Sequence, residues 1–389
     1  FFHPDPTVKR QSGLLRPQIN KSNVLGSSIT QPYFKVISDN KDYTFSPTWF
    51  DNDIFSLQNE FRQANNNSNF LTDFGFVNGY KNNNRSHLFV NYDLDLALAE
   101  FTESNLFVSI EQVSNDTYLN VFDTHVTKSE ARPDDLNIMK NEINLNLIHE
   151  DYNFSSGFTS YENLKTSKRS DRFQYILPYY NFDTLLAENF FNGSLGFNSS
   201  GSNNLNNTNE LKSNITNNLN YSSEDYINRF GIKNEFNMFF KNNNRIGRKS
   251  DYKSSPQIEL ESLFEFNSSL PLINQQNNYK DLLTPKASFK FNPIGMKDNS
   301  TNERNIDISN IFSANRLGLG DTYEEGKSIT LGLDYKREKK KENLQDTNDK
   351  EELNNINKYF EMKIATVFRG KERDLCQIKV HYIEKPLIY

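Results

Sequence analysis

Apolar and polar residues alternate along most of this chain with a period of two, and clusters of Asn, Asp, Gly or Ser interrupt the alternation about every ten residues. The clearest example is 88–98, where every second residue is apolar and the positions between them include Asn91, Asp93 and Asp95. Successive side chains of a β-strand point to opposite faces, whereas an α-helix repeats every 3.6 residues. The pattern therefore predicts antiparallel strands joined as hairpins, without a helix of three turns.

Polar runs between these segments mark the predicted turns and loops. The segments 81–85 and 241–245 each place three consecutive Asn between a Lys and an Arg, and both are predicted to be turns. Segment 201–220 is mostly Asn, Ser and Thr, and 336–352 is a charged run. Neither can bury an apolar face, so both are predicted to be long loops or extended strand ends.

The amino-acid composition is typical of strands in a membrane. Only 35% of the residues are hydrophobic, yet 13% are aromatic, with 32 Phe and 19 Tyr. Low hydrophobicity alone would favour disorder, but disordered chains are poor in aromatic residues. Strands that show one face to lipid and the other to water account for both values. The predicted fold class is all-β, an antiparallel transmembrane β-barrel of the outer-membrane type, with a secreted β-solenoid as the alternative.

Charge, cysteine and histidine content exclude several other functions. The net charge of −6 leaves no basic surface for nucleic acid. A single cysteine, Cys376, excludes a disulfide within the chain and a cysteine-built zinc site. The five His are scattered without metal-ligand spacing, and no nucleophile or acid–base set stands out. We therefore expect no enzyme activity, no cofactor and no metal site.

The way in which the chain could cross a membrane also follows from the sequence. No run approaches the ~18 apolar residues of a membrane-spanning helix, so any crossing is predicted to be by strands. The first residue is Phe, and the opening residues do not have the pattern of a signal peptide. We expect the chain to be an internal piece of a longer protein.

Four stretches of the chain carry a family resemblance. They are 3–15, which reads His-Pro-Asp-Pro-Thr-Val-Lys-Arg-Gln-Ser-Gly-Leu-Leu, then 113–119, 283–293 and 305–332. In order, spacing and residue type they resemble the family of the LPS-assembly protein LptD, also called organic solvent tolerance protein. The motif positions are Asp5, Pro6, Lys9, Arg10, Gly13, Asn315, Arg316, Gly320, Asp321 and Gly326.

The resemblance implies a function and a set of partners. It implies an outer-membrane translocon of Gram-negative bacteria that inserts lipopolysaccharide into the outer leaflet through a lateral gate. The implied partners are lipopolysaccharide, a plug lipoprotein of the LptE type, a periplasmic bridge protein of the LptA type and the barrel-assembly machinery. Residues 1–24 are expected to be the linker from an absent periplasmic jelly roll. Residues 25–389 are expected to be part of the barrel, without its closing strands, and the tail 374–389 no longer reads like the family.

Two prolines are the predicted lateral gate. Pro32 and Pro47 lie fifteen positions apart and match the family's prolines in the first strands at the gate. Proline has no N–H, so each removes one possible ladder hydrogen bond, worth about 0.5–1.5 kcal/mol net. The alternative is that these prolines only mark strand ends. Asp93, Asp95 and Glu111 are candidates for a polar lumen wall, although the sequence does not fix which face points inward.

The chain departs from the family at two points. The family usually has Arg directly after the Gly-Asp of the fourth stretch, whereas this chain has Thr322. The family's paired cysteines have no counterpart, which puts oxidative control of assembly in doubt. Two other readings stay open: a general porin or receptor-type barrel, which would lack the entry motif, and a secreted β-solenoid adhesin. The latter should show a fixed repeat of about 20–50 residues, and none is found.

Overall fold

The computed structural model of the chain describes residues 10–122, 129–276, 279–320, 322–340, 356–370 and 376–380. Among the predicted site residues, Asp5, Pro6, Lys9 and Asp321 lie outside the described residues. Of the tail 374–389, only 376–380 are described, and they form a strand.

The first half of the described chain is a succession of strands. In chain order they are β1 Gly13–Leu14, β2 Gln18–Ser22, β3 Gly26–Thr30, β4 Tyr33–Ser38, β5 Lys41–Phe50, β6 Phe55–Ala64, β7 Ser68–Asn78, β8 Arg85–Asp95, β9 Glu103–Val113, β10 Ile138–Ile148, β11 Tyr152–Asn163 and β12 Phe173–Ala187. One short helix, α1 Tyr118–Phe122, follows β9, and single 3-10 turns lie at Tyr80–Asn82 and Arg169–Asp171.

The second half continues in the same way. Its strands are β13 Gly193–Asn206, β14 Glu210–Ser223, β15 Tyr226–Ile227, β16 Lys233–Arg248, β17 Gln257–Ser269, β18 Leu272–Gln275, β19 Tyr279–Asn292, β20 Asn299–Ile306, β21 Gly326–Lys340, β22 Ile356–Arg369 and β23 Cys376–Val380. Among the described residues, no helix is long and apolar enough to cross a membrane.

Strand pairing confirms that the fold class is all-β and antiparallel, as predicted. Among the described residues, twenty-one strands belong to one sheet, and β20 pairs with β23 separately, in parallel. From β5 to β11 each strand pairs antiparallel with the next one along the chain, as successive hairpins do. In the later part of the chain β19 pairs with β21 and β21 with β22.

The chain forms two compact units, which are described separately. The first contains the residues up to Asp183 together with 199–215 and 245–257. The second contains Thr184–Asn198, Thr216–Asn244 and the described residues from Ile258 onward.

The sheet of the first unit has one apolar and one polar face, and their exposure is the reverse of that in a water-soluble protein. On the apolar face, Phe76, Ile143 and Phe158 are 50%, 48% and 49% exposed. On the polar face, Asp73 is fully buried and His87 is only 4% exposed. A sheet in water normally buries the apolar side, because that side gains most from leaving solvent.

Buried apolar side chains of the first unit gather near the polar face, around α1. The cluster contains Tyr118, Leu119 and Phe122 of α1 together with residues of β5, β7, β8 and β10 and of the turns between strands. It therefore packs an element that follows β9 onto the polar side of the strands. The residues of the cluster are Leu25, Phe50, Ile54, Val77, Tyr80, Phe89, Tyr118, Leu119, Phe122, Ala131, Met139 and Leu164.

The predicted turns are partly right. Segment 81–85 is a turn, because β7 ends at Asn78 and β8 begins at Arg85. The predicted turn at 241–245 is wrong, since that segment lies inside β16. There Asn243 accepts a hydrogen bond from Thr216 at 3.1 Å and Asn242 accepts one from Asn217 at 3.2 Å. Cross-strand amide contacts of this kind satisfy Asn in a strand, and a local Asn run does not reveal them.

Segment 201–220 forms extended strand ends, which is one of the two structures predicted for it, and not a long loop. It lies in β13 and β14 with a short turn between them. The turn residues Asn207 and Thr208 have positive φ values of 50° and 59°, as tight hairpins require. In these strands Ser202 donates to Asn214 at 2.8 Å, so polar side chains again satisfy each other across the ladder.

Candidate functional site

The first strands of the chain form an antiparallel ladder three strands wide. Residues 13–22, which contain β1 and β2, run antiparallel to β3 and β4, and β3 and β4 both pair with β5. β3 and β4 thus act as one long strand that is interrupted at Gln31 and Pro32. The segment expected to be a linker therefore carries two strands of this ladder.

Pro32 lies opposite Leu15. The register Gly13 with Phe34 and Leu14 with Tyr33 leads directly to this pair, and the Leu15 N–H donates to the Pro32 carbonyl at 2.9 Å. Two residues that face each other in this way normally exchange two hydrogen bonds. Pro32 has no N–H to return, so the ladder between 13–22 and β4 lacks one bond at this position.

Pro47 removes a hydrogen bond on the other side of the interrupted strand formed by β3 and β4. It lies inside β5 opposite Gln31, whose N–H donates to the Pro47 carbonyl at 3.2 Å. Here again the proline cannot return a bond, this time to the Gln31 carbonyl. The two prolines thus remove bonds from two adjacent seams, at neighbouring positions of one strand. Pro32 lies at an interruption between strands, whereas Pro47 is interior, so the strand-end alternative does not describe Pro47.

Gly13 lies in β1 of this ladder, and Arg10 lies three residues before it. Arg10 forms an ion pair with the buried carboxylate of Asp42, and its guanidinium lies 5.5 Å from the ring centroid of Phe34. Arg62 donates to the same carboxylate at 2.8 Å. A Cβ added at Gly13 would meet nothing within 4 Å, so packing does not require glycine there.

A cavity of about 460 Å³ opens beside this ion-pair group. Its lining includes Arg10, Asp42, Arg62 and Asp93, so one of the three candidate lumen residues faces it. Asp95 lies on the same face of the sheet as Asp93, because the two residues are two positions apart in β8. Glu111 of β9 also lies on this face, because it pairs with Phe89, which is four positions from Asp93. Glu111 accepts a hydrogen bond from the Lys140 N–H at 2.6 Å.

A buried polar cluster attaches α1 to the strands. His87 of β8 contacts the Asp73 carboxylate through Nε2 at 3.0 Å and the Tyr118 hydroxyl through Nδ1 at 2.8 Å. The His87 ring also stacks on Phe89 with centroids 4.6 Å apart. Burial raises the pKa of Tyr118, which keeps its phenol neutral. Local sequence patterns do not reveal this cluster, because the partners of His87 lie 14 and 31 positions away.

The second stretch of the family resemblance, 113–119, also contributes to this attachment. Arg85 donates to Asn115 at 2.9 Å and to Thr117 at 3.0 Å, both from Nη1. Its guanidinium lies 4.7 Å from the ring centroid of Tyr80. These contacts, together with the His87 cluster, cover the polar face of β7 and β8 with the chain that follows β9.

In the second unit, the predicted motif residues Asn315 and Arg316 fix a loop. Asn315 accepts from the Leu319 N–H at 2.9 Å and donates to the Leu319 carbonyl at 2.6 Å, which closes the turn 315–319. Arg316 is 1% exposed and donates to Glu324 at 2.6 Å, to Ser328 at 2.9 Å and to Thr330 at 3.0 Å.

Glu324 connects this loop to a further strand. Arg369, at the end of β22, donates to its second carboxylate oxygen at 2.5 Å. Burial raises the pKa of Glu324, but the hydrogen bonds and positive charges of Arg316 and Arg369 outweigh burial and leave the pKa below its ordinary value. Glu324 is therefore ionised at neutral pH, between two guanidinium groups.

The remaining motif glycines lie in the same loop. Gly320 accepts a hydrogen bond from Lys241 Nζ at 2.8 Å, and Gly326 begins β21 with φ +86°, a conformation that favours glycine. Thr322, which stands where the family usually has Arg, donates to the buried Glu261 carboxylate at 3.1 Å. Leu317 and Leu319 of the loop form an apolar cluster with Ile306 and Ile311.

The structure thus places the predicted residues in two groups. Arg10, Gly13, Pro32 and Pro47 share the first ladder, and Asn315, Arg316, Gly320 and Gly326 share the loop that ends at β21. The first group lies in the first unit and the second group in the second unit. In the part of the chain that the structure describes, no group of three His, Cys, Asp or Glu is placed to hold a metal ion.

Comparison with known proteins agrees with the resemblance seen in the sequence. An LPS-assembly protein LptD of Shewanella oneidensis is 23% identical over 363 residues, which is 86% of this chain and 45% of that protein. One of Acinetobacter baylyi is 23% identical over 86% of this chain and 42% of its own length. One of Polaromonas sp. is 30% identical over 29% of this chain and 14% of its own length.

These matches confirm the predicted similarity to LPS-assembly protein LptD, at low sequence identity. The chain spans less than half the length of the curated relatives it matches. No family model matches the chain. A solved structure named bacterial polysaccharide outer membrane secretin aligns with 68% of this chain and 83% of its own, at 8% identity and a TM-score of 0.26, which is too low to indicate a shared fold.

Proposed function

We propose that this chain, similar to LPS-assembly protein LptD over most of its length, is part of an outer-membrane translocon. In this proposal the strands form part of a barrel wall, with the apolar face towards lipid and the polar face towards the lumen. The translocon inserts lipopolysaccharide into the outer leaflet through a lateral gate at the first strands. A plug lipoprotein of the LptE type, a bridge protein of the LptA type and the barrel-assembly machinery are its proposed partners.

The reversed exposure of the sheet is the observation that carries the membrane assignment. Phe76 and Phe158 are about half exposed, whereas Asp73 and Gln58 on the other face are fully or almost fully buried. In water this arrangement would leave a large apolar surface without a partner. In a bilayer the apolar face contacts lipid chains, and hydrogen bonds between adjacent strands satisfy backbone polar groups that lipid cannot.

The ladder of the first strands supports the gate. A lipid chain can leave a barrel sideways only if adjacent strands separate, and separation costs least where the ladder has the fewest bonds. Pro32 and Pro47 each remove one bond, and they do so in adjacent seams of the same strand. At about 0.5–1.5 kcal/mol per bond, the two missing backbone bonds weaken the region by at most roughly 1–3 kcal/mol without dissolving it.

Replacing both prolines tests the gate. In the full-length protein, Pro32→Ala with Pro47→Ala restores both N–H donors, and we expect a tighter ladder and less lipopolysaccharide at the cell surface. Surface lipopolysaccharide is measured by labelling of intact cells, and permeability by sensitivity to large antibiotics. Unchanged export in the double variant would contradict the gate assignment.

Pro285 provides the matched control. It also lies inside a strand, β19, opposite Leu333 of β21 and away from the first ladder in sequence. Pro285→Ala restores one backbone N–H of the same kind, and we expect normal export. If this variant reduced export as strongly as the double variant, the effect would belong to strand prolines in general.

A further inference from the structure

Gln31 lies between the two prolines and contacts both neighbouring strands. Its backbone N–H donates to the Pro47 carbonyl on one side at 3.2 Å. On the other side its side-chain amide Nε2 donates to the Leu15 carbonyl at 2.8 Å and to the Pro32 carbonyl at 3.3 Å. A single residue thus bridges the seams on both sides of the interrupted strand.

The bond to Leu15 occupies a particular place in the ladder. Leu15 gives its N–H to Pro32, and in an ordinary antiparallel pair the Leu15 carbonyl would accept the N–H of the residue opposite. Proline at position 32 cannot supply that N–H. The Gln31 side chain supplies an amide N–H from the neighbouring position instead, so the Leu15 carbonyl keeps a donor.

We propose that Gln31 is a positioning residue whose side-chain amide replaces the N–H missing at Pro32 and sets the strength of the seam between 13–22 and β4. A backbone donor is tied to the strand, whereas a glutamine side chain can turn away by rotation about its own bonds. The seam therefore has one hydrogen bond that forms and breaks without movement of the strands. Its consequence for lipopolysaccharide passage rests on the proposed function.

Hydrogen exchange at Leu15 measures the seam itself. In the full-length protein in lipid nanodiscs, Gln31→Leu removes the amide, and we expect the Leu15 N–H to exchange about fivefold faster, or roughly 1 kcal/mol at 1.4 kcal/mol per factor of ten. Gln31→Glu keeps the shape but has no N–H donor when ionised, and we expect the same direction. Heat-modifiable migration on gels shows that each variant is folded.

A rescue separates this role from a general structural one. Gln31→Leu combined with Pro32→Ala returns a backbone N–H opposite Leu15, and we expect exchange to fall back to within about twofold of the original protein. Gln275→Leu, which removes an exposed amide from β18, is the control and leaves Leu15 unchanged. Unaltered exchange in Gln31→Leu, or a double variant as fast as the single one, would overturn the proposal.

Export measured on the same variants keeps the two hypotheses apart. If exchange responds as expected and surface lipopolysaccharide also changes in Gln31→Leu, with reversal in the double variant, both the positioning role and the gate are supported. If exchange responds and export does not, the role of Gln31 stands and the gate assignment fails.

Discussion

The loop that joins Arg316 to Glu324 offers a sharp test of how the second unit is held together. Glu324→Gln removes the negative charge between Arg316 and Arg369 while it keeps nearly the same shape. The Arg316 side chain is 1% exposed and the Glu324 side chain 18%, so the pair is largely withdrawn from water. After the substitution the charge of Arg316 stays buried, without its counter-ion.

The expected cost follows from this geometry. Removing one partner of a fully buried ion pair costs about 3–5 kcal/mol. Here Arg316 keeps its bonds to Ser328 and Thr330, and glutamine still offers an acceptor oxygen. We therefore expect a smaller loss of about 2 kcal/mol, which increases local opening of the loop about 30-fold at 1.4 kcal/mol per factor of ten.

Hydrogen exchange of the backbone amides in 315–320 of the full-length protein measures this opening. Asp251→Asn is the matched control, because Asp251 forms an exposed ion pair with Lys212 at 2.7 Å. Exposed pairs contribute about 0–1 kcal/mol, so the control should change exchange little. Exchange in Glu324→Gln that stays within about twofold of the original protein would refute the role given to this pair.

The pH dependence checks the same pair independently. The pKa of Glu324 is lower in the folded protein than its ordinary value of about 4.3. A lowered pKa means that the pair contributes its full stability above the unfolded pKa and loses it as the pH falls through the folded pKa. Loop opening, corrected for intrinsic exchange, should therefore be constant from neutral pH to about 5 and rise below about 4.3. This rise should be absent in Glu324→Gln.

Two further predictions concern the first unit and the strand glycines. A Cβ at Gly157 would lie 2.5 Å from the Ile143 carbonyl oxygen and 2.7 Å from the Tyr179 hydroxyl, so Gly157→Ala should destabilise the folded protein by about 1–3 kcal/mol in urea unfolding. Gly196→Ala, whose nearest atom lies at 3.9 Å, should be almost neutral, and equal effects would contradict the packing argument. His87→Phe keeps the ring but removes both nitrogen contacts, and it should weaken the attachment of α1 by about 2–4 kcal/mol. Faster exchange of the α1 amides would show this, and unchanged exchange would exclude it.

Strands were the most predictable part of this protein. The alternation over 88–98 correctly predicts a strand, β8, because a period of two can be recognised from neighbouring residues alone. The Asn run at 241–245 misled for the converse reason. Its turn signal is local, and the amide contacts that keep it in β16 come from residues 25 and 27 positions away.

For the candidate residues too, local chemistry could be predicted from the sequence, whereas contacts with distant residues could not. That Pro32 and Pro47 cannot donate a ladder bond follows from their chemistry alone. Which strand loses the bond depends on register, which places Pro32 against Leu15 and Pro47 against Gln31. The same register makes Gln31 important, although nothing in its sequence neighbourhood distinguishes it from other glutamines.

The sequence by itself determined the strands, their alternating faces, the missing N–H groups and the similarity to a family. Only the tertiary structure decided which face is covered, which seam each proline weakens and which charges meet. The reason is that periodicity and proline chemistry act within a few residues. Burial, register and ion pairs such as Arg369 with Glu324 join residues dozens of positions apart, and folding alone brings them together.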